Sequence, residues 1–210
     1  MYANQYSLGG YYTGLAGWEF SIEGYYKQMR HILEYQDGVS FFGTSTNWEE
    51  KVEMGEGRSF GLEMMVQKTL GKTTGWLAYT LAKTDHRFKD GAISQGKWFP
   101  YKYDRRHTIS LCLNHKFSER IDVGASWIFN TGGCITVPER ETIIIRPEGN
   151  IESAPYISRR NNYRLPASHR LNLGINFNKK TKHGMRTWNI SLYNAYNAMN
   201  PNLVYSKWEQ

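Results

Sequence analysis

Nothing in this 210-residue chain approaches the roughly 18 consecutive apolar residues that a membrane-spanning helix requires, so a helical membrane protein is excluded. Cysteine is scarce. Cys112 and Cys134 are too few for a disulfide framework, and two free thiols are the expectation. The opening Met1-Tyr-Ala-Asn-Gln5 has neither a charged n-region nor an apolar h-region and does not read as an export signal, which leaves a cytosolic protein or a piece of a longer exported chain. The six histidines show no His-x-x-x-His spacing and the cysteines no Cys-x-x-Cys, so neither a protein metal site nor a cofactor is expected. Gly-x-Ser-x-Gly, P-loop and dinucleotide fingerprints are absent, and an enzymatic reading has no residues to carry it. The net charge of +7 comes from Lys and Arg scattered through turns and loops, without a basic helix or a long basic run, which argues against nucleic acid as a partner.

What the chain has in quantity is aromatic side chains, 15% of residues with 15 Tyr and 7 Trp, and alternation. Around residues 104–117, Ile109, Leu111, Leu113 and Phe117 alternate with Thr108, Ser110, Cys112, Asn114 and Lys116, with His115 interrupting the apolar row. After a Ser118-Glu-Arg120 turn, Ile121, Val123, Ala125, Trp127 and Phe129 repeat the pattern. The same one-sided rows recur as Trp18, Phe20, Ile22 and Tyr26; as Phe60, Leu62, Met64 and Val66; as Leu77, Tyr79 and Leu81; and as Leu171, Leu173, Ile175 and Phe177. Weaker strands are read over residues 5–13 and 188–196, and Lys179-Lys-Thr-Lys-His-Gly184 reads as a short basic turn.

Connections alternate short and long, with long loops at about residues 31–57, 85–103 and 131–168. A soluble sandwich has no physical reason to gather every long loop at one end, whereas a transmembrane barrel does so by construction. The expected fold is therefore all-β: an antiparallel transmembrane β-barrel segment of about eight long strands in meander order, with short turns alternating with long loops. Two alternatives stand beside it. One is a surface or secreted β-sheet module that stacks Tyr and Trp on carbohydrate; the other is a self-contained eight-stranded outer-membrane barrel.

Six segments carry a resemblance: Phe20-Ser-Ile-Glu-Gly-Tyr-Tyr-Lys27, Gly57-Arg-Ser-Phe-Gly-Leu-Glu63, Gly75-Trp-Leu-Ala-Tyr-Thr80, Gly96-Lys-Trp-Phe-Pro-Tyr-Lys-Tyr-Asp-Arg-Arg-His107, Asn161-Asn-Tyr-Arg-Leu-Pro-Ala-Ser-His-Arg-Leu-Asn-Leu173 and Trp188-Asn-Ile-Ser-Leu-Tyr-Asn-Ala-Tyr-Asn197. In these the chain resembles the C-terminal barrel portion of TonB-dependent outer-membrane receptors, especially the Bacteroidetes type. The resemblance implies a location in the Gram-negative outer membrane and import of a scarce nutrient such as a ferric siderophore, cobalamin or an oligosaccharide. It also implies partners: membrane lipid and lipopolysaccharide, a small-molecule nutrient, and TonB through an N-terminal plug and TonB box. Neither plug nor box is in this sequence, and residues 1–210 are expected to be a partial barrel lacking the final strand.

Candidate ligand-binding residues sit where loops re-enter strands: Trp98, Arg105, Arg106 and His107 after the second long loop, and Arg159, Arg160, Arg164 and His169 after the third. The Arg159–Arg170 cluster could attract an anionic ligand such as a ferric chelate, or fix the loops, or meet lipopolysaccharide. Asp104 to His107 could equally be a rim anchor, with Tyr101 and Tyr103 in an aromatic girdle. Glu19, Glu23 and Glu63 fall on polar strand faces, where pairing with Lys or Arg and solvation in a wet lumen are expected.

Overall fold

A computed structural model of the chain describes residues 1–37, 47–91, 93–145 and 151–201. Its strands are β1 (Tyr2–Tyr12), β2 (Trp18–Tyr35), β3 (Val52–Lys68), β4 (Thr73–Arg87), β5 (Phe99–Pro100), β6 (His107–Lys116), β7 (Ile121–Asn130), β8 (Cys134–Ile135), β9 (Arg140–Ile145), β10 (Ile151–Tyr156), β11 (Tyr163–Arg164), β12 (Ser168–Thr181) and β13 (Gly184–Leu192). The long ones pair in the order β1-β2-β3-β4-β6-β7-β12-β13, an antiparallel meander, with β5 added to β4. Tight turns close one end. Gly17 takes a left-handed φ of 76° between β1 and β2, and the Ser118 hydroxyl accepts from Arg120 N (3.2 Å) and Ile121 N (3.1 Å) between β6 and β7.

Register fuses the separate apolar rows into one surface. Tyr12, Phe20, Val66, Leu77, Leu111, Trp127 and Leu171 are successive cross-strand partners. This row starts near the short-turn end of β1 and reaches the long-loop end of β12, the stagger that tilts strands in a barrel wall. Leu173, Phe177, Ile190 and Trp188 remain 39%, 40%, 65% and 66% exposed, so among the described residues no second layer packs on the apolar face. In water a sheet with this face bare would not persist, and lipid is the solvent that satisfies it.

The opposite face is polar and hydrogen-bonded along its length. Asn172 donates to Ser126 (3.2 Å), Asn176 and Asn178 both donate to Asp122 (2.7 Å each), and Asn189 donates to Asn176 (2.7 Å). Glu19 accepts from the Tyr11 hydroxyl at 2.9 Å. Glu23 and Glu63 are register partners, two carboxylates side by side on this wall. The expected pairing of these two with Lys or Arg is not found among the described residues.

Several boundaries differ from the sequence expectation. Residues 31–57 do not form one irregular loop: β2 continues to Tyr35 and β3 begins at Val52. His31 makes this possible, adopting a φ of 55° in a bulge that shifts the register between Arg30 and Ile32. Gly38, Gly43 and Thr44 of the expected loop lie outside the described residues. Strand β4 likewise runs to Arg87, and the third loop folds into β8 to β11. The basic turn shrinks to Lys182–His183 because β12 extends through Thr181, and β13 stops at Leu192 rather than Tyr196. Tyr101 is not in a lipid-facing girdle. It stacks on His86 at 4.5 Å within the loop layer, with Tyr103 edge-on to it. Girdle contacts at the long-loop end come instead from Tyr79 with His107 and from Tyr196 with Trp127 and His169.

Candidate functional site

At the long-loop end the strands rise past the apolar rows and support a compact layer. Phe88, Ile93, Phe99 and Ile32 form its buried centre, with Met29 against them, and Phe88 stacks on Phe99 at 6.1 Å. Alternation explains how β2 reaches this centre: the bulge at His31 resets the parity, so that Ile32 turns toward Phe88. Strand β5 lies on the part of β4 that β6 leaves unpaired, with Phe99 opposite His86 and Pro100, which has no N–H to give, opposite Asp85.

Two polar clusters bind the loops to this centre. Asp104, 3% exposed, accepts from Thr84 N (2.7 Å) and faces both Arg106 (3.5 Å) and Arg164. Arg164 also donates to the carbonyls of Asp104 and Gly132. That clasp requires glycine at position 132, since a Cβ there would stand 2.1 Å from the Leu165 carbonyl oxygen. Arg160 forms the second cluster. Its Nε donates to Asp37 (2.9 Å), its NH2 to the Tyr35 carbonyl (2.7 Å), and Asp37 in turn accepts from Ser94 N (2.9 Å). First, second and third loops thus meet at the Asp37 carboxylate.

Between these clusters, Asn161 and Asn162 replace backbone pairing with side-chain amides. Asn161, at a φ of 54°, donates to the Pro100 carbonyl (2.8 Å), while Asn162 both accepts from Val137 N (2.9 Å) and donates to its carbonyl (2.8 Å). Asn162 and the Ser158 hydroxyl donate to Glu139. These hydrogen bonds, Ser158 first, hold the Glu139 carboxyl below its ordinary value. Both cysteines are free, and burial pushes the Cys134 thiol upward, Arg164 opposing the rise.

Of the eight candidate residues, Arg106 and Arg164 converge on Asp104, and Arg160 joins them in the same layer through Asp37. The guanidinium groups of Arg58 and Arg87 both lie against the Trp98 ring, 4.3 Å and 4.7 Å from its centre. His107 and His169 are at the rim against Tyr79 and Tyr196, 2.8 Å each. Arg105 and Arg159 are exposed. Asp37, Ser94, Asn161 and Asn162 escaped the sequence reading as site residues; the Asn161-Asn162 pair was its only visible trace, a dipeptide that tolerates left-handed backbone.

Among the described residues no group of three or more His, Cys, Asp or Glu could hold a metal, and no helix is long and apolar enough to cross a membrane. A family profile described as "TonB dependent receptor-like, beta-barrel" matches residues 1–198. No curated protein matches the chain.

Proposed function

Because the chain belongs to the TonB-dependent receptor-like β-barrel family, whose members are outer-membrane transporters of Gram-negative bacteria and not enzymes, we propose that it forms part of the wall and mouth of a pore importing a scarce nutrient. A ferric siderophore, cobalamin and an oligosaccharide are the candidate classes. The observation that carries this reading is one-sidedness: a continuous bare apolar face outside, an amide- and carboxylate-rich face inside, and all long loops tied together at one end. Coupling to TonB would pass through a plug housed against the polar face. Further strands would complete the wall, because β1 and β13 each pair on one side only among the described residues, and a backbone edge left open in lipid is costly.

Within the loop layer, Arg106, Arg160 and Arg164 act as positioning residues, each already facing a carboxylate. Exposed Arg159 is the member of the cluster free to meet an anionic ligand such as a ferric chelate. Whole-cell uptake of a labelled ferric siderophore, cobalamin and oligosaccharide, with and without the proton-motive force, tests the proposal. Energised uptake of one class should vanish on deletion of the chain, and Arg159→Ala should weaken ligand binding if that class is anionic. Uptake of all three classes unchanged by the deletion would defeat it.

A further inference from the structure

The short-turn end carries charge that the import path does not use. A hollow of about 1080 Å³ opens there between the β3–β4 turn, the β6–β7 turn and the β12–β13 hairpin. Lys72, Lys116, Arg120, Lys179 and Lys180 line it, with Glu119 and Asp122 as its acidic members. Asp122 is already engaged, each of its oxygens accepting from one amide, Asn176 or Asn178. The five cations are exposed, and their side chains make no ion pair or hydrogen bond among the described residues. Backbone pairing sets them in a rank. Lys116 N donates to the Lys72 carbonyl (2.8 Å), Lys116 is the register partner of Asp122, and Asn178 N donates to the Arg120 carbonyl (2.7 Å), two residues before Lys180. The ends of β4, β6, β7 and β12 thus each bring one cation to a diagonal that follows the strand tilt, with about 5 Å between neighbouring strands. Parity puts Lys116 and Lys180 on the face of Asn114 and Asn178, away from lipid. The hairpin then leaves the wall: β12 pairs with β7 only as far as Phe177 but with β13 as far as Thr181. From Asn178 to Thr181 it projects about 10 Å, with Lys182 at its tip. A second hollow of about 680 Å³ lies against it, lined by Lys179, Lys180, Lys182 and Met185 among others.

Resting on the membrane-wall reading above, which puts the short turns in the periplasm, we infer that this rim binds the cross-linked glycan–peptide polymer of the cell wall, through the carboxylates of its short peptides. Unpaired cations spread over three turns match a polyanion that offers carboxylates at intervals, and their field draws it in. The larger hollow has the volume of a small-ligand site. Beside its cations it presents Phe117 and Met185, 63% and 65% exposed, an apolar surface for the alanine methyls that separate the carboxylates in such peptides. Lipid head groups cannot reach the ranked cations from the other side of the sheet. The projecting hairpin carries Lys180 and Lys182 past the wall that encloses the lumen, toward the layer beneath the membrane.

The protein, purified from outer membranes in a zwitterionic detergent, is titrated with the disaccharide–peptide fragment that a muramidase releases from purified cell wall. An exposed ion pair contributes up to about fivefold in affinity, so K72Q/R120Q/K179Q/K180Q should bind roughly tenfold to a hundredfold more weakly. Parent binding should fade as salt rises. A control triple of exposed cations at the long-loop end, R30Q/K89Q/R105Q, should bind as the parent does, and co-sedimentation with intact cell wall should follow the same order. Equal weakening by both variants, no weakening by the first, or undiminished binding of a fragment with amidated carboxylates would each overturn the inference. Hexaglutamate binding as tightly as the fragment would overturn it in favour of an acidic protein, and displacement by an equal concentration of short-chain phosphatidylglycerol in favour of lipid. Heat-modifiable migration, the mark of a folded barrel, is scored on every sample. If the quadruple variant loses it, K180Q/K182Q on the projecting hairpin carries the test, with about a tenfold weakening expected. Its loss in the parent would instead sink the membrane-wall reading itself.

Discussion

Arg164 reaches back 60 residues to Asp104 and bonds it twice, through the backbone carbonyl and through the carboxylate. The two residues belong to the two segments, Tyr103-Asp-Arg-Arg-His107 and Arg164-Leu-Pro-Ala-Ser-His-Arg170, that open a strand after a long loop. Each segment is therefore the other's binding partner. A long loop has little of its own to hold it, and closing three of them at one end of a barrel requires contacts strong enough to offset the ordering entropy. Asp104 and Asp37 meet that need with buried or shared carboxylates, each facing arginine from the third loop.

Removing the clasp should free the third loop without opening the wall. In Arg164→Ala, Asp104 keeps only Thr84 N and the distant Arg106, and leaving a buried carboxylate without its main partner costs about 3–5 kcal/mol. Limited proteolysis of the membrane-inserted protein should cut within residues 131–167, while heat-modifiable migration is retained. Arg164→Lys should fall between, because a compact ammonium lacks the planar fork with which the guanidinium spans one carboxylate and two carbonyls. A variant as protease-resistant as the parent would show that the clasp is dispensable.

Cys134 reports on the same clasp. It is 3% exposed and its thiol is pushed upward by burial, so little thiolate is available near neutral pH. A water-soluble maleimide should leave it unmodified in the folded parent and label it in Arg164→Ala, with mass spectrometry locating the adduct. Rapid labelling of the parent would contradict the burial.

Strand faces were legible in the sequence because lipid and lumen impose a strict period of two, as in Leu171, Leu173, Ile175 and Phe177 against Asn172, Gly174 and Asn176. The strand extensions were not legible. Above the membrane both faces meet protein or water, and the bulge at His31 inverts parity in mid-strand, so Met29 to Tyr35 shows no clean alternation. Strands β8 and β11 are two residues long and pair beside the Arg164–Gly132 hydrogen bond, a long-range contact that no local pattern records. For the same reason fixing of the loops stood only as one alternative for the arginines of the third loop, with no partner named, since the carboxylates that hold them lie 60 and 123 residues away.

Acid should loosen the junction around Glu139. Its carboxyl titrates below the ordinary value of 4.5 because Ser158 and Asn162 donate to the ionised form. A lowered folded value means that the stabilisation is complete above the ordinary value and disappears as pH falls through the lowered one. Protection factors for hydrogen exchange across residues 137–142 and 156–162, corrected for the intrinsic pH dependence of exchange, should therefore be constant near neutrality and fall in that acidic window. Glu139→Gln should flatten the acid response, and an unchanged response in that variant would assign it to another group.

The sharpest test of which face meets lipid uses two neighbouring residues. Ile175 and Gly174 are adjacent on β12, so their side chains leave the sheet on opposite sides. Ile175 is paired with Val123 and Ile190 in the apolar surface; Gly174 is paired with Gly124 and Ser191 on the polar one. Arginine at position 175 should cost about 2–4 kcal/mol, the penalty for a cation near the bilayer midplane, and reduce the amount of folded protein in outer membranes. Aspartate at 174 should be tolerated, because a Cβ there meets nothing closer than 3.8 Å and its carboxylate opens onto a face already lined by Asn176 and Asn189. Heat-modifiable migration of outer-membrane fractions reads both. If Gly174→Asp abolishes assembly while Ile175→Arg does not, the faces are inverted, and the polar wall could not line a passage.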